Sequence, residues 1–406
     1  MRASAMDTKK FFNGFARNII IVGFVSLFTD LSSQMVFPVV PLFLLSLGAS
    51  AWVIGLVEGA AETTASLLKV FSGYWSDRIK RRKPFVFAGY SLSTVTKPMF
   101  SLAYTWPFVL FVRVLERVGK GVRDAPRDAI IAESVDASIR GKAYGFQRAL
   151  DGIGSFSGAI LAVSLLPLLG YRNLFLIAFL PGIIAVLLIL FIKEKRSQDV
   201  TERRAAIPLK VSLRKLPSNL QLFIVVSTVF ALGNFGYAFL ILKAKNIGFT
   251  DNITLLLYVL FYVVYTLFTI PAGILSDRIG RKPVLVIGYS LFAVTAVSLL
   301  VTSQLVPLVI VFILYGIFFG MIDGVQRAFV VDLAPQNLKG TALGTFYTAT
   351  GLIALPGGFI AGYLWTTISP QATFLFALGL TIIGLILFSF VKNTTQHAQP
   401  FPQKVH

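Results

Sequence analysis

The chain has no cysteine among its 406 residues. Neither a disulfide framework nor a thiolate metal site can form. Histidine is nearly missing too, with His397 and His406 alone, both in the polar C-terminal stretch. A serine–histidine–acid set is therefore excluded from the apolar body, and proton chemistry there must use carboxylates. Charge is scarce, at 14% of residues where soluble domains carry about 25%. Acidic residues are scarcest, 18 against 37 basic ones. No Gly-x-x-x-x-Gly-Lys-Ser/Thr phosphate loop occurs, and Gly119-Lys120-Gly121 does not qualify. Without it, the energy source must be a gradient. No cofactor, no metal and no enzymatic reaction are expected.

Apolar residues make up the difference. They account for 56% of the chain, and the mean hydropathy is +0.78. Runs of about 20 apolar residues, enough to cross a bilayer, recur throughout. Twelve membrane-spanning helices are predicted, at about 17–47, 51–75, 84–104, 106–126, 141–168, 172–192, 219–243, 252–276, 283–303, 306–330, 340–367 and 371–391. They are called segments 1 to 12. The organisation expected is a six-helix bundle (1–192), a cytoplasmic linker with one surface helix (193–218), a second bundle (219–392) and a cytoplasmic tail (393–406). The basic N-terminal residues followed by Ile19–Leu27 resemble a signal peptide, but the apolar run continues to Leu47. It is read as an uncleaved first membrane helix.

The net charge of +19 raises nucleic acid as a partner. That reading is rejected, because the cations lie in short loops between apolar segments. Arg78 to Lys83, Arg140 with Lys142, the linker, Arg278 to Lys282 and Lys339 occupy alternate loops. The opposite loops hold only Arg172, Lys243 and Lys245. Cations gather on the cytoplasmic side and attract anionic lipid headgroups. Both termini are therefore placed in the cytoplasm and the chain in the inner membrane, as a monomer.

One stretch occurs twice. Gly73-Tyr74-Trp75-Ser76-Asp77-Arg78-Ile79-Lys80-Arg81-Arg82-Lys83-Pro84 returns as Gly273-Ile274-Leu275-Ser276-Asp277-Arg278-Ile279-Gly280-Arg281-Lys282-Pro283. Asp77 and Asp277 are 200 residues apart, and downstream the offset becomes 199. Gly89-Tyr90-Ser91-Leu92 then matches Gly288-Tyr289-Ser290-Leu291, Asp124 matches Asp323, and Glu133 matches Asp332. So many matches in one register indicate two similar halves of six helices about an axis along the membrane normal.

The repeated Gly-x-x-x-Asp-Arg-x-Gly-Arg-Arg/Lys between segments 2 and 3 and between 8 and 9 resembles the signature of major facilitator superfamily transporters. The second copy fits fully; the first carries Lys80 in place of the glycine and one extra residue. Glu116-Arg117-Val118-Gly119-Lys120-Gly121-Val122-Arg123-Asp124-Ala125-Pro126-Arg127-Asp128 resembles a bacterial group close to drug and metabolite:proton antiporters. Lys120 stands where the segment-4 signature of proton-coupled members has glutamine. Gly154 and Gly158 fit the segment-5 antiporter signature, with Ser155 in place of its proline. The resemblance implies an all-α membrane fold of two six-helix bundles, a small-molecule substrate and coupling to protons, with export preferred. Symport uptake of an anionic or zwitterionic metabolite is the alternative. A non-transporting ligand sensor of the same fold is the alternative of a different class.

Charged residues inside membrane spans cost about 2.5–3.5 kcal/mol each on insertion scales, so each is a functional candidate. The first half holds most of them: Asp30, Glu58, Glu62, Lys69, Lys97, Arg113, Glu116, Arg117, Lys120, Arg148 and Asp151. The second half offers aromatic and amide groups, including Asn234, Tyr237 and Tyr262. Spacing pairs Glu116 with Lys120, Asp151 with Arg148 and Glu62 with Lys69. Asp30 and Glu58 have no partner in their own helices, and a carboxylate so placed takes up protons readily. Asp30 is the proton carrier expected first and Glu58 second, with Glu62, Glu116 and Asp151 also considered. A permanent Asp30–Arg113 salt bridge is the rival reading. Gln34, Lys97, Arg113, Arg117, Arg148, Asn234, Tyr237 and Tyr262 are the candidate substrate contacts. Lys97 is expected to point inward toward a carboxylate.

Gating is expected at the repeated loops, through Gly73, Asp77, Arg78, Arg81, Arg82, Asp124, Asp128, Gly273, Asp277, Arg278 and Arg281. Arg78 or Arg82 is expected to meet Asp124 or Asp128, and Asp77 a helix N-terminus near Gly340. The first loop keeps more cations, so Asp77→Asn is expected to harm transport more than Asp277→Asn.

Overall fold

The computed structural model describes residues 17–79, 81–135, 139–193, 213 and 216–392, without the side chains of Arg140 and Asn337. The expected linker helix, the tail 393–406 and Lys80 of the first loop lie outside the described residues. Everything regular among the described residues is helical. An all-helical chain is what hydrocarbon requires, since each helix satisfies its own backbone polar groups.

Segments 2 (Ala51–Ile79), 3 (Lys83–Ser101) and 4 (Trp106–Glu133) are single helices. So are segments 8 (Asp251–Ile279), 9 (Arg281–Val301), 10 (Leu305–Leu333), 11 (Lys339–Thr367) and 12 (Pro370–Ser389). Segments 5 and 6 form one run, Arg140–Leu190, interrupted at Gly170, where φ is 69° and ψ 174°. That extended, positive-φ conformation reverses the chain where a side chain would be strained.

Segments 1 and 7 are both broken, at corresponding places. Segment 1 consists of Arg17–Gln34 and Val40–Ser46, with Pro38 in the break and Pro41 in the first turn beyond it. Proline has no N–H to continue the ladder. Segment 7 consists of Ser218–Gly233 and Gly236–Ile247. The Asn234 side chain accepts the Gly236 N–H at 3.1 Å and caps that break. Gln34 and Asn234 are 200 residues apart, in the register of the repeat.

Seven helices among the described residues are long and apolar enough to cross a membrane by length and composition. They all lie after residue 139. The helices before it carry the charges. Along segment 6, Leu176, Leu180, Ile184 and Leu187 are exposed at three- and four-residue steps. On segment 12, Leu375, Ile382, Ile383 and Ile386 are exposed. Such uninterrupted apolar stripes suit contact with lipid tails.

The halves touch most closely along segments 2 and 11. A Cβ on Gly55 would collide with the Gly358 carbonyl, and one on Gly362 with Ala51 and Trp52. Glycine is required there because two backbones cross without space for a side chain.

Candidate functional site

Four charges of the first half, Glu58, Arg113, Glu116 and Arg117, converge between segments 1, 2, 4 and 7. Arg113 is fully buried, on a turn of segment 4 that faces segment 2. Its Nη2 donates to Glu58 Oε2 at 3.0 Å, and its Nη1 to Glu116 Oε2 at 3.3 Å. Arg117 Nε lies 3.6 Å from the same Glu116 oxygen. Both guanidinium groups sit over the Phe37 ring, at 4.4 and 4.6 Å from its centroid. Segment 7 closes the arrangement from the second half. The Tyr237 hydroxyl receives Arg113 Nη2 at 3.4 Å and reaches Glu58 Oε2 at 3.2 Å and the Phe37 carbonyl at 3.3 Å. Tyr258 donates to Gln34 Oε1 at 2.9 Å and packs edge-on against Tyr237.

Each buried ion here has an opposite partner, which burial demands. The pairing is still incomplete. Arg113 Nε, Arg117 Nε, Glu58 Oε1 and Glu116 Oε1 are buried without a hydrogen bond. Their hydrogen-bonding capacity is unused in this arrangement.

A second cluster lies between segments 1, 5 and 8. Asp30 Oδ2 accepts Ser155 Oγ at 3.4 Å, and Tyr262 shares that serine. Gln147 Nε2 donates to Ser26 Oγ at 3.0 Å and to Asp151 Oδ2 at 2.6 Å. Arg148 Nη1 lies 3.9 Å from Asp151, though its own side chain is 61% exposed. Glycine again sets the approach: Gly154 and Gly158 rest on the Leu27 and Leu31 carbonyls of segment 1. The antiporter-like glycines are thus packing surfaces.

Several expected pairings are corrected. Asp30 and Arg113 form no salt bridge, because Glu58 and Glu116 occupy the guanidinium. Glu58 is not without a cation; its partner lies on segment 4. Glu116 pairs with Arg113 and Arg117 in place of Lys120. Glu62 meets Ser66 at 3.4 Å, while Lys69 lies over the Tyr347 ring at 4.6 Å, so these two do not pair. Lys97 is inward and buried, but no carboxylate lies within 4 Å of it among the described residues; it donates to the Ser93 carbonyl at 3.2 Å. The Asn234 amide oxygen is taken up by the helix break.

The repeated loops differ from expectation in one respect. Arg82 does not reach Asp124 or Asp128. It binds Asp77, Glu133 at 3.3 Å and Ser76 at 2.9 Å. Arg281 repeats this with Asp277 at 2.6 Å, Asp332 at 3.3 Å and Ser276 at 2.5 Å. Lys83 caps the Leu190 and Ile192 carbonyls at 2.8 Å each, and Lys282 caps Ser389 and Val391 at 3.1 and 2.6 Å. Asp124 and Asp128 pair with Arg127 on their own helix. No contact joins Asp77 to the start of segment 11 among the described residues. Gly73 packs near Ala125, Gly273 faces open space, and Arg78, Arg81 and Arg278 form no ion pair among the described residues.

At this loop end the polar clusters stay within one half. At the far end the halves are joined. Tyr171 donates to Asp251, Lys245 Nζ meets the other Asp251 oxygen at 2.7 Å, and the Trp52 N–H reaches Thr366 Oγ1 at 3.3 Å. The far end is the sealed one.

Neither Phe37 nor Tyr171 with Asp251 was singled out from the sequence. Phe37 had a signal, since it stands 200 residues before Tyr237. The Tyr171–Asp251 contact had none, because it joins loops from different halves.

A helical bundle with a charged seam between two repeated halves defines a membrane transporter. The sequence model of the Major Facilitator Superfamily matches residues 22–250 and 221–405, and the chain belongs to that family. It is 40% identical over 384 residues to an uncharacterised MFS-type transporter of Methanocaldococcus jannaschii, covering 93% of this chain and 95% of that one. It is 27% identical over 373 residues to a probable 4-methylmuconolactone transporter of Cupriavidus pinatubonensis, covering 85% of each. The fold superposes on the nucleoside transporter NupG with a TM-score of 0.76 at 16% identity, over 92% of this chain and 98% of that one. The protein is a multi-pass membrane protein and a secondary transporter, not an enzyme.

Proposed function

We propose that the chain transports a small organic anion together with a proton, Arg113 and Arg117 receiving the anion and Asp30 carrying the proton. The observation that carries this reading is the balance of buried charge. With the buried Arg123 set against Asp124, its partner at 3.9 Å, Lys97, Arg113 and Arg117 remain against two carboxylates, Glu58 and Glu116, which leaves one positive charge. Asp30 stands apart on a serine hydroxyl. With Asp30 ionised the whole group is neutral; with Asp30 protonated it is positive and attracts an anion. Proton and anion then bind together, which favours symport uptake. Gly154 and Gly158 serve packing and supply no argument for export. The relative named for 4-methylmuconolactone, an organic acid, supports this substrate class. In this reading the basic loop end faces the cytoplasm at the inner membrane, and the halves rock about the central cluster.

Counterflow in proteoliposomes tests it. Labelled 4-methylmuconolactone should exchange across the bilayer and accumulate when the outside is acidified, whereas uridine, a neutral comparator, should not. Exchange of uridine alone would overturn the anion assignment. Binding without exchange would instead mark a ligand sensor.

A further inference from the structure

Lys69 takes no part in the reading above. It lies on segment 2, is half-buried, and its Nζ stands 4.6 Å from the centroid of the Tyr347 ring, on segment 11 of the other half. An ammonium has three N–H donors. No side-chain hydrogen bond or ion pair takes them among the described residues. The neighbouring carboxylates are engaged elsewhere. Glu62, two turns away on the same helix, meets Ser66 at 3.4 Å. Asp124, one turn beyond the Gly121 that packs on Lys69, lies 3.9 Å from both Arg123 and Arg127. A ring face attracts a cation but fills none of its donor positions.

A second cation reaches the same tyrosine from within the second half. Arg327 of segment 10 donates to the Tyr347 hydroxyl. Its Nη2 lies 2.6 Å from Asp323 Oδ2, and its Nε donates to the Asp323 carbonyl at 2.8 Å. The Tyr265 hydroxyl of segment 8 reaches the same Asp323 Oδ2 at 3.4 Å. Asp323 neutralises Arg327, and the charge of Lys69 stays unbalanced within the group. The group is open to solvent: the Arg327 and Asp323 side chains are 30% and 37% exposed, and a Cβ on Gly324 beside them would meet nothing. Charged groups exposed within spanning helices belong to a water-filled passage and not to lipid. Lys69 lies eleven residues beyond Glu58 toward the loop end, about 16 Å along segment 2. With the far end sealed, an anion leaving Arg113 for the loop end passes this level.

We infer that Lys69, Tyr347 and Arg327 form a second anion site, on the loop side of Arg113, which holds the transported organic acid between the central cluster and the solution. The site carries one net positive charge. The Lys69 donors are free for a carboxylate, and the Tyr347 ring offers its apolar body to a flat unsaturated acid. Both halves contribute, Lys69 from the first and Tyr347 with Arg327 from the second, so its shape depends on how the halves stand. The inference rests on the anion reading above and not on the choice of proton carrier.

Sided KM values test it, from counterflow of labelled 4-methylmuconolactone in membrane vesicles of both orientations. Inside-out vesicles present the loop end on that reading, and right-side-out vesicles the far end. Lys69→Gln should raise the loop-face KM about ten-fold, the size of one lost hydrogen bond between charged groups, and leave the far-face KM within about two-fold. Lys69→Arg keeps a cation over the ring and should recover most of the loss. Tyr347→Phe keeps the ring and loses only the bond to Arg327, so a rise of about three-fold or less is expected. An equal rise at both faces with Lys69→Gln would make Lys69 part of the central site or of folding. An unchanged loop-face KM, at whatever rate of exchange, would make the Lys69–Tyr347 contact only a tie between the halves. Either result overturns the inference and leaves the anion reading standing. If the unsubstituted protein exchanges no labelled 4-methylmuconolactone, the anion reading fails and takes the inference with it.

Discussion

The two halves share a frame and differ in filling. Both break their first segment at an amide, Gln34 or Asn234, and both tie their repeated loop with the same serine–aspartate–arginine–acid cluster. Inside, the register sets ions against rings. Asp30 corresponds to Phe230, Glu58 to Tyr258, Glu62 to Tyr262, Arg113 to Phe312, Glu116 to Tyr315, Lys120 to Phe319 and Arg148 to Tyr347. Lys97 corresponds to Ala296. The second half is packed by these rings: Phe230 stacks on Tyr289 at 4.2 Å, and Phe292 meets Phe318 at 4.8 Å. Dispersion and area burial dominate there, with the Arg327–Asp323 pair at 2.6 Å as a polar exception toward the loop end. The first half holds buried ion pairs at the corresponding places. One half is walled chiefly with rings, the other is filled with paired ions.

The largest expected effect breaks the comparison at its centre. Arg113→Leu removes the ion partner of Glu58 and one of the two cations at Glu116, and breaking a buried pair costs about 3–5 kcal/mol. Phe312→Leu, at the corresponding position, exchanges one apolar group for another and should cost less than about 1.5 kcal/mol. Thermal unfolding in detergent measures both, and Arg113→Leu should also abolish counterflow. Equal destabilisation would mean that the ions serve only as filler.

A smaller effect is expected from the tyrosines. Tyr237→Phe removes a hydrogen bond to Glu58, and bonds to charged groups contribute about 1.5–3 kcal/mol. A roughly ten-fold loss in counterflow follows from the low end of that range. Tyr315 has a buried hydroxyl with no partner. Tyr315→Phe should therefore be neutral or slightly stabilising. A large loss there would place an unseen polar group in the wall.

The smallest effect concerns the loops. Sequence asymmetry favoured a greater harm from Asp77→Asn than from Asp277→Asn. The clusters around them match, and both aspartates are mostly exposed, at 70% and 65%. Exposed pairs contribute about 0–1 kcal/mol, so both variants should retain transport to similar degrees. A selective loss with Asp77→Asn would restore a functional asymmetry that the loop geometry does not display.

The segments, the repeat and its register were legible because length, apolar content and turn chemistry are local properties. The breaks in segments 1 and 7 were not expected, since both were read as continuous helices; Pro38 and Pro41 carried the signal for the first. Partner choice was not legible. Glu116 has three cations within one turn of itself, and helical spacing alone favoured Lys120. The packing of segment 4 on segment 2 decided for Arg113, by bringing Glu58 to it from 55 residues away. The same reason hides the far-end seal, where Tyr171 and Asp251 meet only after both halves have folded.

The crossing of segments 2 and 11 has a mechanical consequence. Its closest approach, Gly55 on Gly358, lies near the sealed end. From there segment 2 runs to Ile279's counterpart, Ile79, a lever of roughly 36 Å at 1.5 Å per residue. A rotation on the order of 15°, the size seen in other packed assemblies, would move the loop end by roughly 9 Å while the crossing itself hardly shifts. Such a rotation would have to release the ties that continue along the two segments, the Thr63 hydroxyl on the Gly351 carbonyl at 2.6 Å and Lys69 over the Tyr347 ring. With those ties released, the two glycines would set the gear ratio of the halves: a slight rolling at one end would be magnified into an aperture at the other.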